Sequence, residues 1–329
     1  MAQASAERAA RTNVPAERPN LPELSPERDE LRRRHVGSSE VAALFDLSPH
    51  TTRLQLYLRK RGELPAELES DLSGNERVFW GVYLEPAIGQ GIADRMGWSL
   101  RKVRRYVSHP AVAGMGCSPD FEIVQHPRGP GVLEIKTVDR AVFRRWEGGR
   151  PPIHFELQLQ HQLACMGRSW GALGILIGGN ELRVLPYLRH EGAIGRLEGE
   201  VERFWREVEE GRPPTPVYES DLETLRALYR DASRGSFLDL RGNQRARELC
   251  EEHAGAACAE RAAQARKRAA EAELLDMIRQ AETVWVDGFK ITAGTVGAGN
   301  GSSGRSPYRS FRVSKNFFMR EPDHGLDAG

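Results

Sequence analysis

Lysine, cysteine and long apolar runs are all scarce in these 329 residues. The four cysteines, Cys117, Cys165, Cys250 and Cys258, show neither a CxxC spacing nor a partnering histidine pair, which argues against structural zinc. So few cysteines in so long a chain predict a reduced, intracellular protein, placed in the cytoplasm. No run approaches the ~20 apolar residues of a membrane span. The N-terminus lacks the continuous apolar region of a secretory signal. The net charge is only +1, so any binding to nucleic acid has to rely on a local basic patch. Cations are nearly all arginine; the six lysines are Lys60, Lys102, Lys136, Lys267, Lys290 and Lys315. An arginine bias of that kind also follows from a GC-rich genome, but it makes a lysine set among the apolar residues of a strand more pointed. The length allows one large domain or two smaller ones, each with ample core.

That lysine is Lys136, and it lies in the stretch around which the chain is organised, residues 115–137. Asp120 opens an apolar run of Phe121, Ile123 and Val124. A turn follows through His126, Pro127, Gly129 and Gly131, and a second run, Val132, Leu133 and Ile135, carries Glu134 and Lys136. Two apolar runs about a Gly/Pro turn predict a hairpin. Alternation along a strand projects Glu134 and Lys136 from one face, and the hairpin brings Asp120 near them. Carboxylates and an amine on one face are poorly tolerated in an apolar core but suit a divalent cation. A surface hairpin with solvated charges satisfies the same pattern.

Elsewhere, residues 1–27 are rich in Ala, Arg, Glu and Pro and read as a disordered tail. Arg32, Arg33, Arg34 and His35 lead into Val36-Gly37-Ser38-Ser39 and then a helical apolar pattern beginning at Glu40. Such an approach marks a helix N-terminus, which binds anions through its free N–H groups; an ordinary capped helix fits equally. Residues 77–96 predict a helix with Val78, Phe79, Val82, Ile88, Ile92 and Met96 inward and Glu85 among them, and 103–107 predict a strand. Residues 154–166 predict a helix whose core side carries Leu159, Leu163 and Met166 while Gln158, His161 and Gln162 share another. Trp170–Ile177 and Glu181–Leu188 predict partner strands, and 194–208 an amphipathic helix. Beyond 216 the chain becomes charged and Ala-rich. Leu249, Ala256, Ala263, Ala270 and Met277 give a weak seven-residue spacing, expected of a helical hairpin or packed arm. Residues 284–292 predict a hairpin with an Asp287-Gly288 turn, and 308–313 a further strand. Arg305, Arg309, Arg312 and Lys315 interleave there with Tyr308, Phe311, Phe317 and Phe318, as on a nucleic-acid surface or a mixed exposed sheet face.

Five blocks occur in one order: RRRHVGSSEVAALFDLSP, FWGVYLEPAI, GCSPDFEI with LEIKT, LQLQHQLACMG with a strand ending in IGG, and a final helix with FW. Together they resemble the YqaJ-type viral recombinase family of lambda-exonuclease-like PD-(D/E)XK nucleases, over roughly residues 30–215. The resemblance implies an α/β fold with a restriction-endonuclease-like core, a mixed central sheet flanked by helices. Together with the composition outside that stretch, it divides the chain into a tail (1–27), a nuclease domain (28–216), a charged helical arm (217–283), a small β element with a basic, aromatic surface (284–320) and a second tail (321–329).

By the same resemblance Asp120, Glu134, the Ile135 carbonyl and Glu85 hold Mg²⁺, with Mn²⁺ as a substitute and two ions in the site. Lys136 orients the attacking water, and Gln158 stands beside it. Arg32, Ser39 and Ser118 align with residues used near a 5′ phosphate, with Arg33 and Arg34 competing for the place of Arg32. Phe155 stands where the resembling exonuclease carries a tyrosine, so a hydroxyl contact is lost or supplied elsewhere. The implied activity is metal-dependent 5′ to 3′ hydrolysis of linear duplex DNA, leaving 3′ single strands for phage-type recombination in a bacterial host. Endonuclease action, another polarity, or a non-catalytic recombination scaffold are the alternatives. A homotrimeric ring and a single-strand annealing partner are further implications, and no membrane is involved.

Overall fold

Two apolar runs, 132–135 and Trp170–Ile177, set the architecture, because such runs are buried on both faces when they pair in parallel at the centre of a sheet. The computed structural model describes residues 26–69, 75–297 and 308–315. Residues 1–25 of the first expected tail, the whole second tail, Arg305, Phe317 and Phe318 lie outside the described residues, while the last two residues of the first tail begin a helix. The chain divides into two compact units, Met1–Ala232 and Ser233–Gly329.

In chain order the first unit contains helix α1 (Pro26–Arg34), strand β1 (Val36–Gly37), a 3-10 turn (Val41–Phe45), α2 (Arg53–Arg61) and α3 (Glu76–Met96). There follow β2 (Ser99–Lys102), β3 (Val107–Ser108), β4 (Met115–Cys117), β5 (Phe121–Gln125), β6 (Gly131–Val138) and the short α4 (Arg140–Phe143). Helix α5 (Ile153–Met166), β7 (Trp170–Ile177), β8 (Glu181–Leu188), α6 (Glu191–Glu209) and α7 (Leu222–Leu228) complete it. The central sheet has the order β2-β5-β6-β7-β8, parallel between β6 and β7 and antiparallel elsewhere. A small sheet, β1-β4-β3, lies beside it in sequence.

One face of the central sheet packs Phe121, Ile123, Leu133 and Trp170 with Ile88 and Ile92 of α3. The other packs Val132, Leu173 and Ile175 with Leu159 and Leu163 of α5 and Leu197, Val201 and Phe204 of α6. This is the expected mixed sheet with helices on both sides. Residues past α6 still belong to this unit: Asp221 is fully buried and accepts a bond from Thr52 at 2.5 Å.

Three sequence expectations are corrected in this unit. Val82 and Met96 are exposed, since only the face defined by Ile88 and Ile92 meets the sheet. The strand expected over 103–107 is instead largely a connection: residues 103–106 link β2 to β3, because the chain passes there from pairing with β5 to pairing with β4. The helix expected after Ser39 is a five-residue 3-10 turn whose N-cap is Glu40, without a side-chain capping bond. Ser38, not Ser39, is the buried serine of that approach.

In the second unit α8 (Gln244–Ile278) is one continuous 35-residue helix with no buried residue, rather than a helical hairpin. Its sequence has no proline to break it, and its seven-residue seam is too small-sided to bury. Strands β9 (Thr283–Val286) and β10 (Phe289–Thr292) form the expected hairpin, with Gly288 at φ 77° in its turn. The strand expected over 308–313 is divided: β11 (Thr295–Val296) pairs with β12 (Tyr308–Arg309), and β10 pairs with β13 (Arg312–Lys315). Ser310 sits at the break, its N–H and hydroxyl both donating to the Gly294 carbonyl at 2.8 Å. Arg309, expected on a binding surface, donates instead to the carbonyls of Ala293, Ala281 and Arg279.

Candidate active site

Asp120 sits at the corner between β4 and β5. Pairing of β5 with β6 stops at Phe121 opposite Leu133, so β6 runs on past the corner. The Ile135 N–H, lacking a strand partner on that side, donates to Asp120 Oδ2 at 2.7 Å. Two residues apart on β6, Glu134 and Lys136 project together toward α5. Glu134 Oε1 accepts from Lys136 Nζ at 2.8 Å and from Gln158 Nε2 at 2.5 Å, and its Oε2 accepts from Gln162 Nε2 at 2.7 Å. Lys136 Nζ also donates to Gln158 Oε1 at 2.8 Å. Glu134 is 4% exposed, so three donors, one of them cationic, meet a carboxylate removed from water.

Burial first, and then the charge of Glu134, push the Asp120 carboxyl well above its ordinary range; the Ile135 N–H, Lys136 and Lys102 oppose this without cancelling it. Two carboxylates are thus held near each other at an electrostatic cost that a bound cation relieves. Among the described residues, Asp120 Oδ1 and one lone pair of Glu134 Oε2 take no hydrogen bond. These hard oxygens fit a divalent ion such as Mg²⁺. Glu85 does not join them: on α3 it forms an ion pair with Lys102 of β2. Among the described residues no group of three or more His, Cys, Asp or Glu side chains is arranged to hold a metal ion.

The residues expected near a 5′ phosphate are placed unevenly. Ser118 Oγ is buried and, among the described residues, has no hydrogen-bond partner, next but one to Asp120. Ser39 is exposed, while Ser38 faces the cluster, its Oγ accepting weakly from Gln162 Nε2 at 3.4 Å. Arg33 and Arg34 both pair with Glu30, at 3.1 and 2.6 Å, whereas Arg32 is exposed and makes no ion pair among the described residues. The Arg32 carbonyl accepts from Lys60 Nζ at 2.8 Å, and Lys60 also donates to Glu40 Oε2 at 2.7 Å. Glu40 in turn accepts from the Gly37 N–H at 2.9 Å, so a buried lysine fastens the whole 32–40 approach.

A cleft of about 660 Å³ opens beside Lys136, with Trp80, Trp146, Phe155, His50 and His154 in its wall. Phe155 lies 5.2 Å below Lys136 Nζ in a cation–π contact rather than offering a hydroxyl. The sequence placed Gln162 on the side of Gln158 but gave no role to it, or to Ser38, Lys60 and Lys102. Gln162 carries a readable signal, standing one helical turn from Gln158; the others depend on long-range packing. His161 is fully buried and bonded to the Gly116 carbonyl at 2.9 Å.

Residues 29–169 match the family described as the YqaJ-like viral recombinase domain. The uncharacterized protein YqaJ of Bacillus subtilis (strain 168) is 26% identical over 221 residues, covering 66% of this chain and 67% of that protein. Among solved structures, the alkaline exonuclease LHK-Exo of Laribacter hongkongensis is 24% identical with a TM-score of 0.44, covering 56% of this chain and 94% of its own. The same enzyme in complex with dAMP gives 21% and 0.43 over the same shares of the two chains, 56% and 94%.

Proposed function

From the match of residues 29–169 to the YqaJ-like viral recombinase domain we propose that the chain is a metal-dependent DNA exonuclease. It hydrolyses linear duplex DNA from 5′ ends and leaves 3′ single strands for recombination. The observation that carries this reading is the convergence of Asp120, Glu134, Lys136 and Gln158 on one corner of the sheet. In this reading Asp120, Glu134 and the Ile135 carbonyl would hold Mg²⁺ or Mn²⁺, with Glu85, ion-paired to Lys102, as the further carboxylate of the site. The ion supplies charge neutralisation at the phosphate and a lower pKa for the attacking water.

The protein side chains supply the rest. Lys136 brings a fixed positive charge to the face where the nucleophile attacks, and its bond to Gln158 sets its direction. Water attacks phosphorus, the bond to the 3′ oxygen of the terminal nucleotide breaks, and that oxygen leaves with a proton. The shortened strand keeps a 5′ phosphate, ready for the next cycle. Arg32, Ser118 and the Ser38–Ser39 approach receive that phosphate and fix the register of cutting.

The test is digestion of end-labelled linear duplex and of covalently closed circles, each with Mg²⁺ or with EDTA. The expected result is resection of 5′-phosphorylated linear DNA with Mg²⁺ alone, the circles surviving. Cut circles would make the chain an endonuclease. A folded protein that cuts neither would make it a binding scaffold.

A further inference from the structure

From the end of β2 toward β3 the chain runs through Arg101-Lys102-Val103-Arg104-Arg105, and all four cations are exposed. Against a net charge of +1 for the whole chain, four cations within five residues create a local positive field. Arg101 has a partner in Glu122, which Arg168 shares, and Lys102 has one in Glu85. Among the described residues Arg104 and Arg105 take part in no ion pair or side-chain hydrogen bond.

Strand register fixes where this loop lies. On its N-terminal side Lys102 pairs with Phe121, the residue after Asp120, and the Val103 N–H donates to the Asp120 carbonyl at 3.1 Å. On its C-terminal side Val107 pairs with Cys117, just before the Ser118-Pro119-Asp120 corner. The loop is therefore fastened to the chain on both sides of Asp120. A groove of about 460 Å³ runs along it, closed by Glu122 and Met166.

We propose that residues 101–105 are the surface that grips the phosphate backbone of DNA as the strand is led to Asp120. This rests on the reading of the Asp120 corner as a DNA-cutting site and adds where the uncut part of the substrate lies. Arg101 is committed to Glu122 and Lys102 to Glu85, so Arg104 and Arg105 are the contacts to phosphate. An extended, arginine-rich loop suits a repeating phosphate chain, since each guanidinium presents several donors to phosphate oxygens. Backbone contacts of this kind position DNA without reading its sequence.

The experiment measures equilibrium binding of a fluorescent 5′-phosphorylated duplex to the full chain in EDTA over a series of salt concentrations. Arg104→Gln/Arg105→Gln is expected to weaken binding about tenfold at low salt and to lower the slope of log K against log salt by about two, since each phosphate contact contributes ~0.9. Arg104→Lys/Arg105→Lys should keep most of that slope, and both variants should melt with the wild type because the side chains are exposed. Should the double variant fold poorly, Arg105→Gln alone should lower the slope by about one. Wild-type affinity and slope in a folded Gln variant would overturn the surface while leaving the nuclease reading intact. A wild-type chain that neither binds nor cuts linear DNA would overturn both.

Discussion

Gln162 Nε2 donates to Glu134 Oε2 at 2.7 Å, one turn of α5 beyond Gln158, which donates to the other oxygen of the same carboxylate. Glu134 is therefore gripped from both sides by one helix. Its orientation is set by α5 as much as by its own strand.

Gln162→Leu removes the donor to Glu134 Oε2 and leaves that oxygen buried. A hydrogen bond to a charged group is worth about 1.5–3 kcal/mol. Because the same carboxylate is proposed to serve the reaction, turnover on linear duplex should fall about 10- to 100-fold. Binding of DNA in EDTA should be unchanged. Steady-state digestion alongside a binding isotherm checks this; unchanged turnover would make Gln162 a packing residue.

The outline of this corner was legible because strand periodicity is local. The runs about Ile123 and Ile135, and the Gly/Pro turn between them, already specify which side chains share a face. The grip of α5 was half legible: its core side was read from Leu159 and Leu163, but the partner of its polar side is decided by tertiary packing. The 38–39 approach misled, because Gly-Ser-Ser before an apolar pattern reads as a helix cap whether the next turn is α or 3-10. In the structure the turn is 3-10, with Ser38 buried and Ser39 exposed. The ion pairs Lys60–Glu40 and Lys102–Glu85 had no sequence signal, since each joins separate elements through long flexible side chains.

Asp120→Asn should abolish turnover, keep DNA binding, and make the metal-free protein more stable. Burial and the Glu134 charge disfavour an ionised Asp120, whereas an amide oxygen still accepts the Ile135 N–H. Relief of about 1 kcal/mol of like-charge repulsion raises Tm by about 2–4 °C for a domain of this size. Adding Mg²⁺ should raise the wild-type Tm and leave the variant almost unmoved, and EDTA should reverse the gain. Thermal melts of both proteins with Mg²⁺ and with EDTA measure it. An equal Mg²⁺ shift in the variant would remove Asp120 from the metal site.

Lys60 is 2% exposed at its side chain, and burial pulls its ammonium below the ordinary 10.5 although Glu40 opposes this. The unfolded chain then keeps that proton to a higher pH than the folded one. Stability contributed by this group therefore rises with pH, across the window between the lowered folded value and 10.5. Lys60→Met should flatten that alkaline rise. At neutral pH it should cost about 3 kcal/mol by stranding Glu40 and the Arg32 carbonyl. It should also reduce the preference for 5′-phosphorylated over 5′-hydroxyl ends, since the 32–40 approach loses its fastening. Urea unfolding at stepped pH and paired digestion of the two substrates decide the matter.

The backbone of α3 approaches the sheet closely at Gly89. A Cβ there would stand 2.8 Å from Cζ and 2.9 Å from Cε2 of Phe121. That ring cannot swing away cheaply: it is buried, its strand pairs with Lys102 on one side and Leu133 on the other, and Lys102 Nζ lies over its face at 4.9 Å. Alanine gains about 1 kcal/mol in helix propensity over glycine, but overpacking a filled core costs about 1–3 kcal/mol. The clash should win, and the displacement passes directly to Asp120, the preceding residue. Gly89→Ala is therefore expected to lower Tm by about 2–4 °C and to reduce turnover. Gly91→Ala, two residues on, meets nothing within 4 Å and should raise stability with activity intact. Melting and digestion of the two variants side by side separate a helix-wide effect from one at the ring. Equal behaviour of the pair would mean that Phe121 does not hold Asp120 in place.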